Sequence, residues 1–329
     1  MRKIFLWIFK AGFSGVIAFT ILTGFCTLYY NVPVHDDTID GVTDYSWEPN
    51  KFYSRATEGF AWGKTNNEGY LNDFDYIENQ NIDILVMGSS YMEAYQVAMH
   101  ESTASVLGDF FPNYTIYNIG VSSHNFLVCA DNFSAAIDKY KPTKYVIVEA
   151  SNLLYNDEQL MEAIDESIPD LTSHADGIIG IVQKNQFLRL LYTQLKAYSD
   201  NSKDLDGLDK ATITKGNEKL YDKLLAKLSY DASKSGAQLI IMYHPHLKLN
   251  QDGSASAITN VELNDFFANA CKRNNVIFLN MSDFFVKYYE EYYILPHGFS
   301  NSSIGSGHLN KHGHKVIANA VYQVIKEEE

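Results

Sequence analysis

Five short apolar runs, at residues 83–87, 114–118, 144–149, 238–243 and 276–280, alternate with longer stretches of helical periodicity, and this alternation restricts the fold more than any other feature. Runs such as Ile84-Leu85-Val86-Met87 and Tyr145-Val146-Ile147-Val148 are apolar throughout, as strands buried on both faces must be. The stretches between them carry one apolar face, for instance Val261, Leu263, Phe266, Phe267, Ala270 and Cys271. A last periodic stretch, Val316, Ile317, Ala320, Val321, Val324 and Ile325, follows Asn310, a suitable helix N-cap. Strand, helix, strand in repetition predicts an α/β domain with a five-stranded parallel sheet between helical layers.

Open sheets of this kind bind ligands at the carboxyl ends of their strands. The first run ends in Gly88-Ser89-Ser90, a tight turn into the helical stretch 91–107. The second ends in Asn118-Ile119-Gly120 and the third in Glu149-Ala150-Ser151-Asn152. Far downstream stands Gly307-His308-Leu309-Asn310-Lys311-His312-Gly313-His314. A serine and a histidine are thus offered to one site. Acyl transfer through serine needs a base for the hydroxyl proton and donors for the oxyanion, roles that these residue types fill. Taken singly, Gly120 reads as a plain turn glycine and Asn152 as a helix cap.

The four blocks in this order resemble the SGNH (GDSL-type) hydrolase superfamily over roughly residues 66–326, including a lead-in Asn66-Asn67-Glu68-Gly69-Tyr70 found in membrane-linked members. The resemblance implies a three-layer α/β/α, flavodoxin-like fold with strand order 2-1-3-4-5. It also implies Ser90 as nucleophile, His308 as base, and an oxyanion hole from the Ser90 and Gly120 N–H groups and the Asn152 amide. Ser89 stands where the common family motif has Asp. What the resemblance implies of activity is ester chemistry on an acylated, chiefly acetylated, surface glycan, by hydrolysis or transfer, without a cofactor. A multi-pass membrane acyltransferase is the implied protein partner. A non-catalytic scaffold of the same fold, and a lipase or thioesterase, are the alternatives.

One departure bears on all of this: the family places an acid three residues before its histidine, and this chain has Gly305 there. Three readings stay open, namely a Ser-His dyad steadied by a backbone carbonyl, a carboxylate from elsewhere such as Asp283 or Glu93, and a degenerate site. His244-Pro245-His246 follows the fourth strand onto the same rim, so Ser89, His244 and His246 are candidates for substrate contact. A metal pair completed by His297, His308, His312 or His314 is the sharper reading, but it lacks an acidic partner at helical spacing. Tyr288-Tyr289-Glu290-Glu291-Tyr292-Tyr293 fits a sugar-stacking surface or a half-buried helix equally well.

The amino terminus is of another kind. Arg2, Lys3 and Lys10 are the only charges among the first 30 residues, and residues 11–30 are an uncharged run long enough to cross a bilayer. Basic residues before it, and Asp36, Asp37 and Asp40 after it, predict a single-pass anchor with the remainder extracytoplasmic. No small-residue cleavage site closes the run, and Phe25 spoils a lipoprotein box at Cys26. The net charge of −14 opposes nucleic acid as a partner. Cys129 and Cys271 define no disulfide framework. The expected organisation is an anchor at 1–30, an extended lead-in at 31–75 and a hydrolase-like domain at 76–329 with an insertion near 155–215.

Overall fold

In the computed structural model, residues 2–32, 35–36, 46–168, 182, 185–200 and 215–328 are described. Helix α1 (Arg2–Tyr29) opens the chain and passes directly into strand β1 (Tyr30–Asn31). Strands β2 (Phe52–Arg55) and β3 (Ala61–Lys64) complete a three-stranded sheet in the order β1-β2-β3. Residues 31–75 are therefore more than an extended lead: β1 pairs antiparallel with β2, and β2 with β3.

The main sheet follows. Strands β4 (Ile84–Met87), β5 (Ile116–Asn118), β6 (Tyr145–Ala150), β7 (Gln238–Tyr243) and β8 (Ile277–Asn280) are all parallel, in the spatial order β5-β4-β6-β7-β8. This is the 2-1-3-4-5 order, and each strand lies within two residues of the apolar run that announced it.

Between β4 and β5 stand the short α2 (Ser90–Glu93) and α3 (Thr103–Phe110). Helices α4 (Phe126–Asp131) and α5 (Phe133–Tyr140) lead to β6. After it come α6 (Asp157–Ile164), α7 (Gln186–Asp200) and α8 (Lys215–Lys234). Helices α9 (Val261–Arg273), α10 (Ser282–Tyr292) and α11 (Lys311–Glu328) complete the domain. Among its described residues the region 155–215 includes the helices α6 and α7, while residues 169–181, 183–184 and 201–214 lie outside those described, as do Asp37 and Asp40.

Alternation along the strands divides the core. Leu85, Met87, Val146, Val148, Leu239 and Ile241 face one layer, which includes Phe133, Ala136, Leu160, Leu228 and Phe267. Ile84, Val86, Ile147, Ile240 and Met242 face the other, with Leu107, Phe285, Ile317 and Val321. Burying each such large side chain contributes about 2 kcal/mol by transfer alone, which holds the strand ends fixed relative to one another.

Candidate active site

Gly88 has no room for a side chain: a Cβ there would stand 2.6 Å from Met92 Cγ and 2.7 Å from Glu149 Cβ. The chain therefore turns sharply off β4. Ser89 caps α2, and its Oγ donates to Glu149 Oε2 at 2.7 Å while its N–H donates to the same oxygen at 2.8 Å. Glu149 Oε1 lies 2.9 Å from His244 Nε2, and both of these side chains are buried. Burial alone would raise the Glu149 carboxyl, yet the bonds and charge from His244, with the two Ser89 donors, hold it below the usual carboxylate range. Ser89 and His244 are thus spent on Glu149, buttressing the turn, in place of the substrate contact expected of them. Ser90, the next residue, is half exposed.

His308 completes the pair. Its Nε2 lies 2.9 Å from Ser90 Oγ. The acid absent at Gly305 comes from a part of the chain outside the four blocks: His308 Nδ1 lies 2.7 Å from Glu58 Oε2, and the His308 backbone N–H donates to Glu58 Oε1 at 2.8 Å. A carboxylate on Nδ1 fixes the tautomer, with the proton on Nδ1 and the lone pair of Nε2 toward the serine. Burial would raise the Glu58 carboxyl, but the side-chain and backbone bonds from His308, its charge and that of Arg55 keep it lowered, so it is ionised at neutral pH.

Two close backbone approaches around Glu58 require glycine. Gly307 has φ +84°, and a Cβ there would come within 2.3 Å of Glu58 Oε1. Gly59 has φ +70°, and its Cβ would meet the Gln96 carbonyl at 2.1 Å. The Asn301 side chain pins the loop, accepting from Gly59 N–H at 2.9 Å and donating to the Ala56 and Gly59 carbonyls at 3.0 and 2.7 Å. The other acids named from sequence stand elsewhere. Asp283 is exposed in the first turn of α10, and Glu93 is buried between Trp47 Nε1 and Ser122 Oγ.

The expected oxyanion donors have local partners. Gly120 packs against α2, where a Cβ would be 2.7 Å from Glu93 N, and its N–H donates to Asn118 Oδ1 at 2.9 Å. The exposed Asn152 closes on its own loop, with Nδ2 donating to the Leu154 carbonyl and Oδ1 accepting the Leu154 N–H, both at 3.0 Å. In this structure the donors of both residues are engaged in these local bonds.

Tyr91 lies beside this centre, its ring 5.5 Å from that of His308 and 4.5 Å from that of His244. Its hydroxyl is 3.3 Å from His246 Nε2, and burial pushes its pKa up to about 12. His246 is half buried, and burial followed by the neighbouring His244 lowers its pKa. His314 Nδ1 is 2.9 Å from Thr103 Oγ1 in the core, and His312 Nδ1 is 2.8 Å from Tyr288 Oη. Among the described residues, no group of three His, Cys, Asp or Glu is arranged to hold a metal ion. In the tyrosine-rich stretch, Tyr289 is buried in α10 while Tyr292 and Tyr293 are exposed.

Glu93 yields a test of the packing behind the nucleophile. Burial, against the bonds from Ser122 and Trp47, raises its carboxyl to about 7. A folded pKa above the unfolded one stabilises below the unfolded value, and that contribution is lost as pH rises through about 7. Glu93→Gln imitates the protonated acid. Its stability relative to wild type should therefore grow by about 2 kcal/mol between roughly pH 5 and 8, read as a rising difference in Tm. A difference independent of pH refutes this.

A serine, a histidine and a carboxylate in one hydrogen-bonded row at the carboxyl edge of a parallel sheet form a Ser-His-acid triad in geometry. No family model matches the sequence, and no curated protein matches it. Similar solved structures include a member of the lipolytic G-D-S-L family from Veillonella parvula, 12% identical over 74% of this chain and 98% of that chain, with a TM-score of 0.41. Another is the psychrotrophic esterase EstA from Pseudoalteromonas sp., 15% identical over 74% of this chain and 97% of that one, TM-score 0.38. A third is a two-domain esterase active on acetylated mannans, 12% identical over 75% of this chain and 49% of that one, TM-score 0.41. The G-D-S-L family named for the first of these is the one that the four blocks resemble.

Proposed function

We propose that this chain is a serine esterase or O-acyltransferase of SGNH type, acting through an acyl-enzyme on Ser90. The observation that carries the reading is His308 bridging Ser90 Oγ at 2.9 Å and Glu58 Oε2 at 2.7 Å. In the reaction, Ser90 Oγ attacks the ester carbonyl as His308 Nε2 takes its proton, and Glu58 stabilises the imidazolium that results. The oxyanion donor in this reading is the Ser90 N–H at the first turn of α2, with Gly120 and Asn152 as further donors once their local bonds are exchanged. His308 then protonates the departing alkoxide. Water, or a glycan hydroxyl, attacks the acyl-serine by the same route reversed.

The substrate we infer is an acetylated cell-surface glycan. Helix α1 supports that setting: within its 28 residues the most apolar window has a mean hydropathy of 1.9, and Arg2, Lys3 and Lys10 lie toward its start. At 1.5 Å per residue it is about 42 Å long, enough to cross a membrane with its basic end inside. A catalytic domain held at the outer surface meets envelope glycans there, and a multi-pass acyltransferase in the same membrane is the partner that would supply acyl groups. The scaffold reading drew its support from Gly305, and Glu58 on His308 Nδ1 favours the catalytic one.

Treatment with a serine-directed fluorophosphonate, followed by peptide mass spectrometry, should find the adduct on Ser90. An adduct on Ser89, or labelling that survives Ser90→Ala, overturns the assignment. Release of acetate from O-acetylated polysaccharide, against its appearance on an added glycan acceptor, separates hydrolysis from transfer.

A further inference from the structure

The sheet β1-β2-β3 joins α1 without a linker, since α1 ends at Tyr29 and β1 begins at Tyr30. Ser54 Oγ donates to the Thr27 carbonyl of α1 at 2.9 Å, and Asn31 Nδ2 donates to the Phe52 carbonyl at 2.7 Å. The end of the apolar helix is therefore fastened to one face of this sheet.

In antiparallel pairs, residues opposite one another share a face. Ser54 opposes Trp62 and Phe52 opposes Lys64, so Phe52, Trp62 and Lys64 stand on the face that Ser54 gives to α1. The other face is the buried one, where Tyr53 packs against Tyr95. On the α1 face the polarity is inverted: Trp62 is 60% exposed, and Phe60, with its ring 6.2 Å from Trp62, is 69% exposed. A second element lies along the carboxyl-terminal half of α1. Helix α7 sets Phe187 on Phe19 at 6.0 Å and bonds Gln186 Nε2 to Asn31 Oδ1 at 3.0 Å, while exposing Leu191 and Leu195.

From these placements we propose that the β2-β3 hairpin and α7 form a membrane-seating surface, with Trp62 and Phe60 in the headgroup layer of the leaflet from which α1 emerges. The inference rests on reading α1 as an anchor. Lipid is the occupant because the face is the one α1 leaves from, so bilayer surrounds the helix where these rings are exposed. Tryptophan and a neighbouring lysine suit that layer, the ring at the interface and the ammonium reaching the phosphates. One consequence concerns the active site. The turn between β2 and β3 carries Glu58, so the hairpin that holds the acid on His308 is itself held on the membrane.

The test uses the full chain reconstituted into phosphatidylcholine vesicles, with or without lipid brominated at the upper acyl positions. The emission of Trp62 is taken as the difference between wild type and Trp62→Phe, and that of Trp7, in α1, from Trp7→Phe. Bromolipid should reduce the Trp62 emission by about half or more, as expected of a ring seated ~5–10 Å into the interface. Quenching of Trp7 with Trp62 unaffected overturns the seating surface and leaves the anchor standing. Failure to quench Trp7 overturns the anchor itself. Protection of Trp62 from aqueous iodide by soluble acetylated oligosaccharide, with no bromolipid effect, would make the face a glycan platform and also overturn the proposal.

Discussion

Glu58→Gln should lower kcat for p-nitrophenyl acetate by about 10³- to 10⁴-fold, with KM and Tm little changed. The amide keeps the size of the side chain but offers a neutral oxygen to His308 Nδ1, or an N–H that forces the other tautomer. Either way the imidazolium formed during attack loses its compensating charge. Gly305→Asp, the acid position of the family motif, should not restore the loss. Its backbone has φ +84°, where a side chain is strained, and a Cβ would stand 2.9 Å from Leu295 Cδ1. Activity in Glu58→Gln equal to wild type would return the site to a Ser-His dyad.

The main sheet was legible because parallel strands buried on both faces are apolar at most positions, so their runs stand out against amphipathic helices. Ser90 and His308 were legible for a related reason: each follows from its place relative to a strand end or a helix start. Glu58 carried no such sign. It precedes His308 by 250 residues, in a hairpin of a separate small sheet. Gly307 looks like an ordinary turn glycine until the Glu58 carboxylate is seen against its backbone. Glu149 was hidden differently, as a charge inside an otherwise apolar run. A buried carboxylate needs partners, and Ser89 and His244, each assigned to substrate when read alone, are those partners. Pairing them would have required knowing that β4, β6 and β7 lie side by side.

Ser90→Ala and His308→Ala should each lower kcat on the order of 10⁵-fold or more, and the double variant should be no worse than Ser90→Ala alone. The reason lies in the order of events. Without the Ser90 hydroxyl there is no proton for His308 to take, and without His308 the hydroxyl is a weak nucleophile, so the two losses are one loss. Adding Glu58→Gln to Ser90→Ala should likewise change nothing, since Glu58 acts only through the histidine. Independent, multiplying effects of Ser90 and His308 would mean that they serve different steps, and the single hydrogen-bonded row from Ser90 through His308 to Glu58 would then not be the catalytic unit.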